Sequence, residues 1–182
     1  MDITAFKNAF SGGTRANRFL VKGGVGIGAA QKPHSFHVRS TFIPPVTNFT
    51  LSVDAYGRKV NIPGDRQYAP WQLTIYDDID DAATAAQDNP RNLWKLFSQW
   101  HNQINNHEDN TTTLQFPFTG YKTNWTIQHL DLNGNVEQLK EFELIGCWPK
   151  SVSDIDFNMT RRNFLNTFSV IMLYDEVIVT GT

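Results

Sequence analysis

Alternation of apolar and polar side chains recurs along the chain. Trp71, Leu73 and Ile75 alternate with Gln72, Thr74 and Tyr76. Phe142 and Leu144 alternate with Glu141 and Glu143, in a run that continues through Ile145 and Cys147 and stops at Trp148-Pro149. Ile155, Phe157 and Met159 alternate with Asp154, Asp156 and Asn158, and Phe168, Val170, Met172 and Tyr174 keep the same period. A period of two predicts strands with one apolar face. The block from Glu141 to Val179 therefore reads as three strands. In the last of them Ile171 and Leu173 are also apolar, so that strand is expected to be covered on both faces, by its own chain or by a neighbour.

Upstream, Asn17 to Lys22 and Ser35 to Phe42 read as strands, the second closed by Ile43-Pro44-Pro45. Val46 to Asp54 fits a strand or an extended loop. Pro63-Gly64 predicts a turn. Asn133-Gly134 lies between two alternating runs, Tyr121 to Leu132 and Val136 to Ile145, and predicts a tight hairpin. A two-residue loop there places Trp125 opposite Phe142 and Ile127 opposite Lys140. The face carrying Gln128, Glu137, Glu141 and Glu143 is polar and is expected to meet water. One long helix is predicted over Asn89 to His107. Asn89 suits its N-cap and Pro90 its first position, and Leu93, Leu96, Phe97, Trp100 and Ile104 form one stripe, widened by Trp94. A shorter helix capped by Asp2 carries Ile3, Phe6 and Phe10 and ends at Gly12-Gly13. The sum is a single domain over residues 1–182, mainly β, with about seven to nine strands and one flanking helix at about residues 89–107.

Composition narrows the functional classes. With 182 residues, 40% hydrophobic and 13% aromatic, the chain supports a substantial core. A net charge of −2 gives no basic footprint for nucleic acid. No apolar run approaches the roughly 20 residues of a membrane-spanning helix. The first residues, MDITAFKNAF, have no apolar signal core, and Cys147 is the single cysteine. These features favour synthesis in a reducing cytoplasm with no membrane anchor.

Candidate chemistry is sparse. Gly24, Gly26 and Ala29 have the spacing of a dinucleotide fingerprint, but strand pattern resumes after Pro33, so no helix aims its amides at a pyrophosphate. His34 and His37 point to opposite faces of a strand, and His101 and His107 are six apart on a helix, so neither pair suits a metal. The Asp77 to Asp81 cluster and Asp131 to Asn135 lack calcium-loop spacing. Cys147 sits in an apolar run, where a thiol is inert. Asp65-Arg66 fits an ion pair anchoring a turn or a subunit contact. The sequons at Asn48, Asn110, Asn124 and Asn158 have no secretion route to serve. No catalytic residue, cofactor site or metal site emerges, and the chain reads as a structural or assembly protein.

Two regions also resemble a known family. Val60-Asn61-Ile62-Pro63-Gly64-Asp65-Arg66, followed by Trp71-Gln72-Leu73-Thr74-Ile75, is similar to an N-x-x-G-D-R turn and W-x-[LV]-T strand in the tail tube proteins of T4-like contractile phages. Gly146-Cys147-Trp148-Pro149, Asp154-Ile155-Asp156-Phe157 and Phe168-Ser169-Val170 resemble that family's G-x-W-P turn and final strands. Arg15 to Val21 fits its entry into the first strand.

The resemblance implies a β-barrel or sandwich of the phage tail-tube type with a flanking helix, and no enzymatic activity. It implies hexameric rings of identical subunits, stacked into the inner tube of a contractile tail through which DNA is ejected. The implied partners are further copies of the chain, a sheath outside, baseplate and tail-terminator proteins at the ends, and phage DNA that passes without specific binding. The implied location is the virion, after assembly in the host cytoplasm. Within this scheme Tyr56, Arg58, Lys59, Gly64, Asp65 and Arg66 are candidates for ring stacking or subunit contact. Gln128, Glu137, Glu141 and Glu143 are candidates for lining the lumen. Two alternatives remain: a tube-initiating baseplate subunit of the same fold, and a carbohydrate-binding β-sandwich using Trp125, Trp148 or Tyr121.

Overall fold

A computed structural model of the chain describes residues 3–4, 15–25, 34–36, 38–77, 93–112, 120–130 and 140–180. The short N-terminal helix beyond residues 3–4, the acidic run after Asp77, the helix start at Asn89-Pro90, the Asn133-Gly134 turn and Glu137 lie outside them. The described residues form ten strands: β1 (Phe19–Gly23), β2 (His34–Phe36), β3 (Val38–Thr41), β4 (Val46–Ala55), β5 (Arg58–Tyr68), β6 (Trp71–Tyr76), β7 (Thr123–His129), β8 (Glu141–Val152), β9 (Thr167–Leu173) and β10 (Glu176–Thr180). The helix α1 (Leu93–Ile104) lies between β6 and β7.

Eight strands form one hydrogen-bonded path, β2-β1-β7-β8-β9-β6-β3, with β10 added to β8. Strand β8 makes the corner. Its residues 141–147 pair with β7, with β10 on the other side, and its residues 148–152 pair with β9. The two ends of the path, β2 and β3, follow one another in the chain. The result is a sandwich of two sheets joined through β8.

The sequence-predicted strands at Trp71–Tyr76 and Phe168–Tyr174 are present with the expected faces. Leu73 pairs with Val170 and Ile75 with Phe168, and all four side chains are buried. The helix docks its stripe on this core, burying Leu93, Phe97 and Trp100. Phe97 lies within about 6 Å of the rings of Trp100, Trp125 and Phe168. Each buried indole N–H has a partner, as buried tryptophan requires. Trp71 donates to Thr41 Oγ1 at 2.9 Å, Trp100 to the Tyr121 carbonyl at 3.0 Å and Trp125 to Thr123 Oγ1 at 3.0 Å.

Several expectations are corrected. Residues 154–159 are not a strand. Ile155 packs against the core, but Phe157 and Met159 are 79% and 103% exposed in a turn-rich loop. Alternation alone cannot tell a half-buried strand from a loop that displays its apolar residues. Trp148-Pro149 is not a turn but lies inside β8, at the bulge between Pro149 and Ser151, a site where proline's missing N–H is tolerated. The segment 34–41 is divided between two partners, β1 and β6. The β7–β8 register pairs Ile127 with Phe142 and Trp125 with Leu144, two residues away from the tight-hairpin expectation. A slip of two keeps every side chain on its expected face, and it sets Gln128 Nε2 3.0 Å from Glu141 Oε2.

Candidate functional site

Strands β4 and β5 form a two-stranded ribbon that hydrogen-bonds to no other described strand. Its turn is Tyr56-Gly57, with φ of 49° and 78°, the positive values of a tight hairpin turn. Pro63-Gly64, expected as the turn, lies inside β5. There the pairing skips between Asn48/Arg66 and Thr50/Pro63, so Gly64 and Asp65 share Phe49 as their opposite residue. A Cβ on Gly64 would sit 3.0 Å from the Phe49 carbonyl oxygen, which accounts for glycine at this bulge.

The ribbon is amphipathic. Leu51 pairs with Ile62 and Val53 with Val60, and Phe49 shares their face by strand parity. The opposite face carries Ser52 across from Asn61, joined side chain to side chain at 2.8 Å, and Asp54 across from Lys59. All five apolar side chains are exposed. A contiguous apolar face left in water marks an interaction surface. Of the stacking candidates, Tyr56 stands fully exposed at the tip, with Arg58 and Lys59 beside it. Gly64, Asp65 and Arg66 gather at the bulge nearer the root. Asp65 and Arg66 do not pair with each other. The ion pairs among the described residues are Lys122–Asp175 at 2.6 Å and Arg161–Asp156 at 2.7 Å.

The second candidate surface is the outward face of β7 and β8. Glu141 and Glu143 are half-buried there. Gln128 is only 8% exposed, so the expectation that it meets water fails within the subunit. Its amide N–H2 donates to Glu141, and Asn124 Nδ2 lies 3.4 Å from Glu143 Oε1. Among the described strands, the two sheet edges beside this face have no further partner: β2 pairs only with β1, and β10 only with β8.

Neither the thiol nor the cavity assembles catalytic machinery. Cys147 is buried, and burial, then the Asp175 charge, push its thiol well above the ordinary range. A thiol held protonated is no nucleophile. The folded state keeps the proton that the unfolded state releases near pH 8.5. The thiol's contribution to stability is therefore fully present below that pH and is lost above it, by up to about 1.4 kcal/mol per pH unit. Urea titrations at pH 8 and pH 10 should show this fall in the parent chain and a flatter profile in Cys147→Ala. A cavity of about 450 Å³ opens between Phe19, Ile127 and Phe142 on one side and Arg39 to Ile43 on the other. Its one imidazole, His129, sets Nε2 3.0 Å from the Arg15 carbonyl, so that nitrogen carries a proton and is held as a donor. Among the described residues no cluster of His, Cys, Asp or Glu suits a metal ion.

The tryptophans of the carbohydrate-binding alternative do not form a platform. Trp125 is fully buried, and Trp148 is half-buried with its ring edge-on to Tyr121 at 6.0 Å. No helix of the described residues is long and apolar enough to cross a membrane.

Residues 24–180 match a family model described as phage tail tube protein. The chain is 26% identical over 176 residues to tail tube protein gp19 of Enterobacteria phage T4, covering 96% of each chain. The gp19 of Enterobacteria phage T6 matches over the same length at the same identity. Among solved structures, a chain of the baseplate of the anti-feeding prophage is similar with a TM-score of 0.65 at 12% identity, covering 94% of this chain and 98% of that one. A chain of the sheath–tube complex of the PVC extracellular contractile injection system, in its extended state, is similar with a TM-score of 0.57 at 17% identity, covering 100% and 99%. At these identities the solved structures speak to the fold.

Proposed function

The chain belongs to the phage tail tube protein family, and from that premise we propose that six copies close into a ring and that rings stack into the inner tube of a contractile phage tail. The observation that carries this reading is the unpartnered amphipathic ribbon β4–β5. A subunit that ended its life as a monomer would hold Phe49, Leu51, Val53, Val60 and Ile62 in water, and stacking with further copies covers such a face. The edges of β2 and β10, which pair with no further described strand, favour lateral closure, because pairing one with the other around a ring covers both.

In this assembly the outward face of β7 and β8 lines the lumen through Glu141 and Glu143, with Gln128 held against Glu141; the further lumen candidate Glu137 lies outside the described residues. Six subunits at −2 each give 6 × −2 = −12 per ring. A weakly acidic wall lets DNA pass without phosphate contacts. Tyr56, Arg58 and Lys59 at the ribbon tip, and Gly64, Asp65 and Arg66 at its bulge, contribute to contacts between copies. The protein is a structural component of the virion, assembled in the host cytoplasm. The sheath lies outside it, baseplate and terminator proteins lie at its ends, and it catalyses no reaction.

Electron microscopy of the purified full chain tests the reading. Long uniform tubes or stacked rings of six are the expected result. Single rings that never stack would instead assign the chain to the tube-initiating baseplate position. A persistent monomer that retards on a glycan column would overturn both.

A further inference from the structure

We propose that the apolar face of the β4–β5 ribbon seats on the loop 153–166 of a second copy of this chain, in the next ring of the stack. The inference rests on the tube reading above and names the two surfaces that meet.

A tube built from one kind of subunit is a heterologous, head-to-tail assembly. Each copy must present two different surfaces, complementary to each other, at opposite ends. The strand registers place two such surfaces. The ribbon is rooted where β6 begins and β9 ends: Val46 pairs with Tyr68 just before Trp71, and Trp71 pairs with Met172. The Tyr68 ring packs edge-on against Tyr174, directly after β9. The loop 153–166 lies at the other end of the same two strands. It leads into Thr167, which pairs with Tyr76, and its last residue, Asn166, accepts the Asp77 N–H at 2.9 Å.

Both surfaces are apolar where a soluble surface would be polar. In the loop, Phe157, Met159, Phe164 and Leu165 are between 74% and 103% exposed. The loop is not left to collapse onto the core. Trp94 Nε1 donates to the Ser153 carbonyl at 2.9 Å, Thr160 N–H and Oγ1–H donate to Asn158 Oδ1 at 2.9 and 2.7 Å, and Arg161 pairs with Asp156. These bonds hold the segment in a turn that displays its apolar side chains. The ribbon supplies the reach. Ten residues of β4 span roughly 30 Å at about 3.3 Å per residue, longer than the seven-residue strand β9 that separates the two surfaces. Apolar side chains exposed at both ends of one repeating subunit bury each other when copies stack.

Leu51→Asp places a charge on the ribbon face, and Phe164→Asp places one on the loop. Both sites are exposed, so each variant should melt with the parent chain and still form rings. Each alone should shorten tubes at least tenfold by electron microscopy. Rings of the two variants carry complementary intact ends, so mixing them should give ring pairs and no longer stacks. Tubes of parental length from both variants, or from Phe164→Asp alone, would overturn the inference while leaving the tube reading in place. Failure of the parent chain itself to form tubes would instead strike the tube reading. A second measurement does not depend on the charge variants. Leu51→Cys combined with Phe164→Cys should give a ladder of disulfide-linked chains when tubes are oxidised. Intact double-variant tubes that remain monomers on a denaturing gel would also overturn the inference.

Discussion

Gly23→Val should strip the subunit of a large part of its stability, whereas Gly120→Val should leave it intact. A Cβ at position 23 would fall inside the van der Waals envelope of the Trp125 indole, on three ring atoms at once. That ring cannot retreat. Trp125 is fully buried, its ring lies 5.7 Å from that of Trp71, and its N–H is fixed by Thr123 Oγ1, which itself donates to the Gly24 carbonyl. Overpacking of a close-packed core costs about 1–3 kcal/mol and more where backbone must move. Here the offending atom is attached to the backbone of β1, which is hydrogen-bonded on both sides through Val21 to Gly23. A loss of about 3 kcal/mol or more removes a large part of a stability of about 5–15 kcal/mol. Position 120 has nothing within 4 Å of an added Cβ and serves as the control. Expression level and urea midpoints of the two variants decide the matter, and equal midpoints would refute the account.

The second large effect is expected at Phe97. Phe97→Ala should lower stability by about 3–5 kcal/mol, a fall in melting temperature of roughly 6–20 °C for a chain this size. The Phe97 ring meets aromatic rings of both the helix and the sheets: Trp100, Trp125 and Phe168. Its removal leaves a cavity under the middle of α1. Trp94→Ala, about one turn earlier at a more exposed position, removes the hydrogen bond to the Ser153 carbonyl together with a partly covered ring and should cost less, about 1–2 kcal/mol. Calorimetry on both variants separates the anchoring residue from the surface one.

The Gly23 result bears on how the sequence is read. The glycine-rich stretch offers only the spacing of a dinucleotide fingerprint beside it, yet Gly23 ends a strand and is small because Trp125 stands over it. That requirement is set by a residue about a hundred positions away, so no local pattern reveals it. The strands at Trp71 to Tyr76 and Phe168 to Tyr174 were legible because each buries one face against the core, and burial is what makes period two visible. The helix was legible for the same reason through Leu93, Phe97 and Trp100. Pro63-Gly64 misled because a two-stranded ribbon has an outer edge on each strand, where proline is tolerated, and because the true turn uses Tyr56, an unusual residue for positive φ. Phe157 and Met159 misled in the opposite way. They are apolar for a surface they display, and single-chain reasoning assigns every apolar residue to its own core. The exposed apolar faces were therefore legible as apolar excess, and only the registers separated them from the interior.

Strand β8 has a mechanical consequence. It belongs to both sheets, pairing with β7 and β10 along its first half and with β9 along its second. Antiparallel ladder bonds lie perpendicular to their strands. A thrust delivered along β8 therefore loads all of these bonds together in shear, and none can be peeled open singly from an end. The two sheets also cannot slide past each other without breaking the ladder on one half of a strand that runs unbroken through both. A subunit arranged in this way resists lengthwise force as one solid piece.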